Sequence, residues 1–214
     1  VQWGRSLYRN IQRFIFFQLV VNVTALLLVL GGSLIGTELP LTITQMLWVN
    51  LIMDTFAAMA LASLPPESDV MTKKPRKQTD FIINRTMGWA ISIVGLLFFG
   101  MMLALLWYFE KVAGVSPREL TIFFTIFVML QWWNLFNAKT LGGSRTAFHR
   151  LAADKGLLLV LAIILGGQWL IVEFGGKMFR TTPLDLETWL WIFLGTSPVF
   201  IIGEVLRAVR RLRS

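Results

Sequence analysis

The chain has 214 residues, of which 56% are hydrophobic and 15% are charged. Soluble domains average about 45–50% apolar and about 25% charged residues, so this composition excludes an ordinary soluble domain and indicates a membrane protein. The net charge is +8 at pH 7, and the sequence has no cysteine. The absence of cysteine excludes disulfide bonds, thiolate metal sites and a cysteine nucleophile.

Six apolar runs are long enough to cross a bilayer, whose hydrocarbon core of about 30 Å requires about 20 residues of helix. Charged and turn-rich breaks place them at 14–35, 41–64, 87–109, 120–138, 156–174 and 186–205. Pro65 and Pro66 end the second run because neither offers a backbone donor, and Pro198 predicts a kink within the sixth. We therefore predict an all-α, polytopic membrane protein with six transmembrane helices.

The lysines and arginines predict the direction of these helices. Sixteen of the 20 fall in segments that face the cytoplasm if the N-terminus is inside, which agrees with the positive-inside rule. Both termini are therefore predicted to be cytoplasmic, with the lipid bilayer as a partner and no nucleic acid. The chain is predicted to begin with a cytoplasmic stalk at 1–13, followed by the first two spans, with the ion-site residues, at 14–64. A basic cytoplasmic loop follows at 65–86, and four further spans with a short basic tail make up 87–214.

Eight tryptophans fall mostly near span ends or on stretches expected to face lipid. This position predicts an aromatic belt at the membrane interfaces, formed by Trp48, Trp89, Trp107, Trp132, Trp133, Trp169, Trp189 and Trp191.

Asp54 is the one acidic residue near the middle of a predicted span. An aspartate at a helix centre costs about 2.5–3.5 kcal/mol on insertion scales, so a mid-span acid usually has a function or a partner. Asn50 precedes it by four residues on the same helix face, and Asn22 lies near the middle of the first span. Carboxylate and amide oxygens suit a hard cation such as calcium. We therefore predict Asn22, Asn50 and Asp54 as metal ligands.

These three residues do not complete a calcium site, because calcium normally takes 6–8 oxygens. Further ligands must come from backbone carbonyls, from water or from a segment outside this chain. Gln131, Asn134 and Asn137 form a second polar line in the fourth span. They either belong to a hard-cation site or connect helices through hydrogen bonds, each worth roughly 0.6 kcal/mol in a membrane. No catalytic or cofactor-binding residue is predicted.

The second span carries a resemblance to a known family. Residues 45–62, with Asn50 and Asp54 in an otherwise apolar helix closed by Pro65 and Pro66, resemble the sixth transmembrane helix of P-type calcium ATPases, most closely the plasma-membrane type. Residues 3–8 and 18–23 are similar to the family's stalk and fifth helix, and residues 134–138 are similar to its eighth helix. Residues 174–177, 183–184 and 189–191 are similar to its last loop and tenth helix.

This resemblance implies that the six spans correspond to helices five to ten of a ten-helix calcium export pump in the plasma membrane. It implies ligand roles for Asn22, Asn50 and Asp54, with the N-terminal helices and cytoplasmic domains of the same pump as partners. ATP and magnesium would be bound only in those domains, so we expect no ATPase activity from this chain alone. Two-calcium pumps carry acids where this chain has Ala25 and Gln131, which implies one calcium ion per cycle.

Two other kinds of protein remain open from the sequence. One is a self-contained six-helix cation channel or secondary carrier, and the other is a structural membrane subunit whose polar residues only connect helices. The first residues lack a starting methionine and the layout of a signal peptide, so we expect the chain to be a piece of a longer protein.

Overall fold

The computed structural model describes residues 2–36, 41–66, 71, 81–143, 146–149 and 151–213, without the side chains of 52–54, 210, 211 and 213. The described residues fold as α-helices: α1 (Gln2–Ile35), α2 (Ile43–Trp48), α3 (Thr55–Ala62), α4 (Arg85–Tyr108), α5 (Pro117–Lys139), α6 (Lys155–Phe174), α7 (Gly176–Phe179), α8 (Leu186–Thr196) and α9 (Pro198–Arg213). π-Helical segments follow α2 and α4, at Val49–Asp54 and Phe109–Ala113, and a 3-10 turn at Leu151–Ala153 precedes α6.

Six helical stretches among the described residues are long and apolar enough to cross a membrane. They are Gln2–Ile35, Ile43–Ala62, Arg85–Ala113, Pro117–Lys139, Lys155–Phe174 and Leu186–Val209. The predicted all-α polytopic architecture is therefore confirmed, and each predicted span overlaps one of these stretches. Most of the predicted basic loop at 65–86 lies outside the described residues.

Local sequence signals explain where several helices begin and end. Ser116 caps α5 by accepting a hydrogen bond from the backbone N–H of Arg118, and Pro117 occupies the first turn, where a missing N–H costs nothing. Asn84 caps α4 in the same way. The sixth span breaks between α8 and α9 at Ser197, immediately before Pro198, as the proline predicts.

Helix α5 lies at the centre of the structure and packs against α1, α3, α4, α6, α8 and α9. Fifteen of its 23 residues are buried, which is typical of a helix surrounded by others rather than by lipid. It is the most enclosed of the six stretches, since 72% of its most apolar 18 residues are buried, against 33% for the second span. The core of the bundle is therefore built around the fourth span.

Helices α1 and α4 approach each other closely at Gly95. A Cβ atom at this glycine would lie 3.2 Å from Cγ1 of Val23, so only a very small residue fits without movement. The hydroxyl of Thr24 donates to the backbone carbonyl of Gly95 at 3.5 Å. The absence of a side chain at Gly95 thus sets the distance between the first and third spans.

Candidate functional site

The second span is not a continuous α-helix. It consists of α2, the π-helical segment Val49–Asp54 and α3, and Asn50 and Asp54 both lie in the π-helical segment. A π-helix pairs residues five apart instead of four, and short π-helical segments inside α-helices occur frequently at functional sites. The sequence predicts one uninterrupted helix at 41–64, so the irregular segment is a finding of the structure.

The structure describes the side chains of two of the three predicted ligands. The side chains of Asn22 on α1 and Asn50 in the π-helical segment are both exposed on the surface of the bundle. The backbone of Asp54 ends the π-helical segment, but its side chain lies outside the described part of the chain. Among the described residues, no cluster of three or more His, Asp or Glu side chains could hold a metal ion.

The exposure of Asn22 and Asn50 has a physical consequence. A polar group at the depth of the hydrocarbon core requires protein or water as its neighbour, because lipid tails offer no hydrogen bond. Both amides lie in helical stretches long and apolar enough to span a bilayer. The surface that carries them is therefore suited to contact with further polar groups rather than with lipid.

Two sets of hydrogen bonds attach the second span to the rest of the bundle. Beside α2, the side-chain amide of Gln45 donates to the carbonyl of Phe179 at 2.8 Å. Beyond α3, the amide of Asn10 on α1 donates to the carbonyls of Ala62 at 3.1 Å and Leu64 at 2.8 Å. The π-helical segment thus lies between two attachments to different parts of the structure.

The polar line on α5 divides into two kinds of residue. Asn137 donates to the carbonyl of Val199 at 3.1 Å and accepts from Arg207 at 3.2 Å, which agrees with the helix-connecting interpretation. Gln131 and Asn134 are fully buried, and their side-chain nitrogen and oxygen atoms have no hydrogen-bond partner among the described residues. An unpaired buried polar group costs about 1–3 kcal/mol, so these two amides do not serve to connect helices.

An ion pair and several hydrogen bonds to charged side chains hold the segment between α5 and α6. The Lys139 ammonium lies 2.6 Å from the Asp154 carboxylate, and both side chains are buried. The same ammonium donates to the carbonyls of Ala147 and His149. Glu204 of α9 accepts from the backbone N–H of Ala147 at 2.7 Å. The positive-inside count treats Lys139 as a topological charge, whereas the structure places it in the packing of this connection.

On the opposite end of the bundle, Arg118 and Asp185 form an exposed ion pair at 2.9 Å. Hydrogen bonds from the Thr188 hydroxyl, then from Arg118 and from the backbone N–H of Thr188, lower the pKa of Asp185 to about 2. Asp185 is also the N-cap of α8. Its carboxylate is therefore ionised at every physiological pH and holds the beginning of this helix next to α5.

Three of the eight tryptophans of the predicted aromatic belt form hydrogen bonds with other helices of the bundle. The indole of Trp132 donates to the carbonyl of Leu161, and that of Trp133 donates to the hydroxyl of Thr196. Trp48 donates to the side-chain oxygen of Gln168 at 3.2 Å. These rings pack between helices, where the indole N–H finds a partner inside the protein. A polar glutamine within the apolar fifth span is the sequence signal that points to such a contact.

The comparisons with known proteins agree with this architecture. A family model described as "Cation transporting ATPase, C-terminus" matches residues 38–209. The chain is 37% identical over 222 residues to human plasma membrane calcium-transporting ATPase 3, with 98% of this chain and 18% of that protein covered. It is 39% identical over 226 residues to chicken plasma membrane calcium-transporting ATPase 1, with 98% and 18% covered.

A third relative, plasma membrane calcium-transporting ATPase 2 of Oreochromis mossambicus, is 36% identical over 225 residues, with 100% of this chain and 20% of that protein covered. The chain thus spans about a fifth of the length of the curated relatives it matches. The family model covers most of the chain, and the similarity extends over nearly all six spans. The chain therefore belongs to the family of cation-transporting ATPases and corresponds to their C-terminal membrane part.

Proposed function

We propose that this chain is the C-terminal membrane half of an ATP-driven calcium export pump of the plasma membrane. In this proposal Asp54 supplies the charge of a single calcium site, and Asn50 and Asn22 supply neutral oxygen donors. ATP and magnesium act in cytoplasmic domains outside this chain, so the chain contributes to transport and not to ATP hydrolysis. The names of the relatives support calcium as the transported ion and the plasma membrane as the location.

The observation that carries the proposal is the π-helical segment Val49–Asp54, which contains two of the three candidate ligands. A regular α-helix satisfies its own backbone groups, whereas an irregular turn alters which carbonyls and side chains are available to a ligand. Calcium requires more oxygens than Asn22, Asn50 and Asp54 provide. An irregular backbone at this position offers a physical source of additional oxygen donors.

The exposed positions of Asn22 and Asn50 also support a site completed by other helices. Both amides lie on the surface of the described bundle, where further membrane helices of the pump could supply ligands and exclude lipid. A self-contained channel or carrier would have to complete the site within these six spans, and a structural subunit would need no ligands there. Membership of the cation-transporting ATPase family favours the pump over both alternatives.

The experiment that tests this function is calcium uptake by inside-out vesicles containing the full-length pump. Asp54→Asn removes the charge but keeps the shape of the side chain, and we expect it to abolish ATP-dependent uptake. Glu110→Gln is the matched control, because it removes one carboxylate charge from an exposed residue of another span. Uptake that survives Asp54→Asn at the level of the Glu110→Gln control would refute the ligand assignment.

A further inference from the structure

Helix α2 is fitted against α6 by a contact that tolerates only glycine. The ring of Trp48 lies against Gly167, where an added Cβ atom would fall 2.7 Å from Cζ2 and closer still to Cη2. The preceding residue, Gly166, has open space around the same position. Any side chain at Gly167 would therefore displace the Trp48 ring from its present position, and with it the hydrogen bond from the indole N–H to Gln168.

A chain of hydrogen bonds fixes the same contact. Trp48 donates from its indole N–H to Oε1 of Gln168 at 3.2 Å, and Gln168 donates from Nε2 to the hydroxyl of Thr125 at 3.3 Å. Thr125 donates in turn to the carbonyl of Thr121 at 2.8 Å. Gln168 and Thr125 are fully buried, so water does not compete for the bond between them, and the chain of bonds connects α2, α6 and α5.

The second contact of α2 is with Phe179, and the segment that follows Phe179 is also hydrogen-bonded to the bundle. Gln45 donates to the carbonyl of Phe179, which lies at the end of α7. The residues that follow Phe179 are fixed to the bundle, because Thr181 donates its hydroxyl proton to the carbonyl of Ile171 at 2.8 Å. The backbone N–H of Thr182 donates to the hydroxyl of Thr121 at 3.0 Å. Helix α2 is thus attached at two points to a part of the bundle built on α5 and α6.

We propose that Trp48, Gly167 and Gln168 are positioning residues for the ion site. Asn50 follows Trp48 by two residues and lies in the π-helical segment. The contact between the Trp48 ring and α6 therefore determines the position of the Asn50 amide. The three residues touch no ion and act through the backbone of the second span. This inference rests on the proposed function, because it assigns Asn50 to a calcium site.

The two halves of the second span have partly different neighbours. Helix α3 packs against both α1 and α6, and its C-terminal end accepts hydrogen bonds from Asn10 of α1. Helix α2 contacts α6 through Trp48 and α7 through Gln45. Asn50 and Asp54 lie in the π-helical segment between the two halves, so the position of α2 sets one side of the site.

The test compares two adjacent glycines in the full-length pump. Gly167→Ala is expected to raise the calcium concentration for half-maximal uptake by about tenfold, because displaced groups at a functional site lose effectiveness steeply. Maximal uptake per folded pump is expected to stay near the wild-type value. Gly166→Ala, with open space around it, is expected to leave both quantities unchanged. Equal half-maximal concentrations for the two alanine variants would overturn the proposal.

A compensating variant distinguishes positioning from a loss of folded protein. Trp48→Phe removes the outer ring atoms that an alanine at 167 would meet, but it also removes the indole N–H that donates to Gln168. Combining it with Gly167→Ala is therefore expected to recover only the part of the calcium affinity that the steric contact costs, and to leave the part lost with this hydrogen bond. Gln168→Met removes both hydrogen bonds of the side chain without adding volume, and we expect it to raise the half-maximal concentration as well. Wild-type affinity in Gln168→Met, or no recovery in the double variant, would contradict the proposal.

The result with Asp54→Asn keeps the two proposals separate. Normal uptake by that variant refutes the calcium-site function itself. Loss of uptake in Asp54→Asn, together with identical calcium affinities of the Gly166→Ala and Gly167→Ala variants, refutes only the positioning role.

Discussion

The buried ion pair between Lys139 and Asp154 makes a quantitative prediction about stability. The Lys139 ammonium lies 2.6 Å from the carboxylate and donates to the carbonyls of Ala147 and His149 at 3.1 and 3.2 Å. Its side chain is 9% exposed and that of Asp154 is 5% exposed. Lys139→Met therefore leaves a buried carboxylate without its counter-charge, and breaking such a pair typically costs about 3–5 kcal/mol. For a chain of this size that cost corresponds to a fall in melting temperature of roughly 6–20 °C.

The double variant Lys139→Met with Asp154→Leu is expected to recover much of this loss, because replacing both partners leaves no uncompensated charge. Thermal unfolding of the purified chain in detergent, followed by tryptophan fluorescence, measures both variants. Arg118→Met breaks an ion pair whose side chains are 50% and 55% exposed, and it should lower the melting temperature by only a small fraction of that amount. The reasoning fails if Lys139→Met is no worse than Arg118→Met, or if the double variant is as unstable as the single one.

Further predictions concern glycines and unpaired amides, measured by the same unfolding assay. Gly203→Ala is expected to lower stability by about 1–3 kcal/mol through overpacking, because its Cβ atom would lie 2.9 Å from Cγ of Asn137. Gly195→Ala, which meets no atom within 4 Å, should leave stability unchanged or raise it. Gln131→Met and Asn134→Leu should each raise stability by about 1 kcal/mol or more, since each removes buried polar groups without partners. A fall in stability in either variant would indicate that the amide has a partner, such as a bound water molecule.

The number and type of helices are predictable because the bilayer restricts a spanning segment to one structure of one approximate length. The break before Pro198 also follows from the sequence, since proline removes a backbone donor. The π-helical segment Val49–Asp54 does not follow, because an apolar run of this length has the same composition in an α-helix and in a π-helix. Its position depends on how α2 and α3 are held by their neighbours.

The candidate site was also only partly predictable from the sequence. The insertion cost of Asp54 and the spacing of Asn50 identify which residues to examine, because an acid in hydrocarbon needs a reason to be there. Their sequence positions do not reveal that Trp48 is fixed to Gly167 and Gln168 of a distant span. That contact joins residues 120 positions apart for the Trp48 and Gln168 pair, and no local pattern records which helices become neighbours.

The packed core and the candidate ligands lie in different parts of the structure. The bundle is held together around α5, where most residues are buried, whereas only 33% of the most apolar 18 residues of the second span are buried. Asn22 and Asn50 are exposed, so their removal takes nothing from the packed core. A polar residue in a membrane span that does not contribute to packing costs free energy on insertion, so it is a candidate for a functional role. Substituting Asn22 or Asn50 by leucine should therefore change calcium affinity in the full-length pump while leaving the unfolding temperature unchanged or higher.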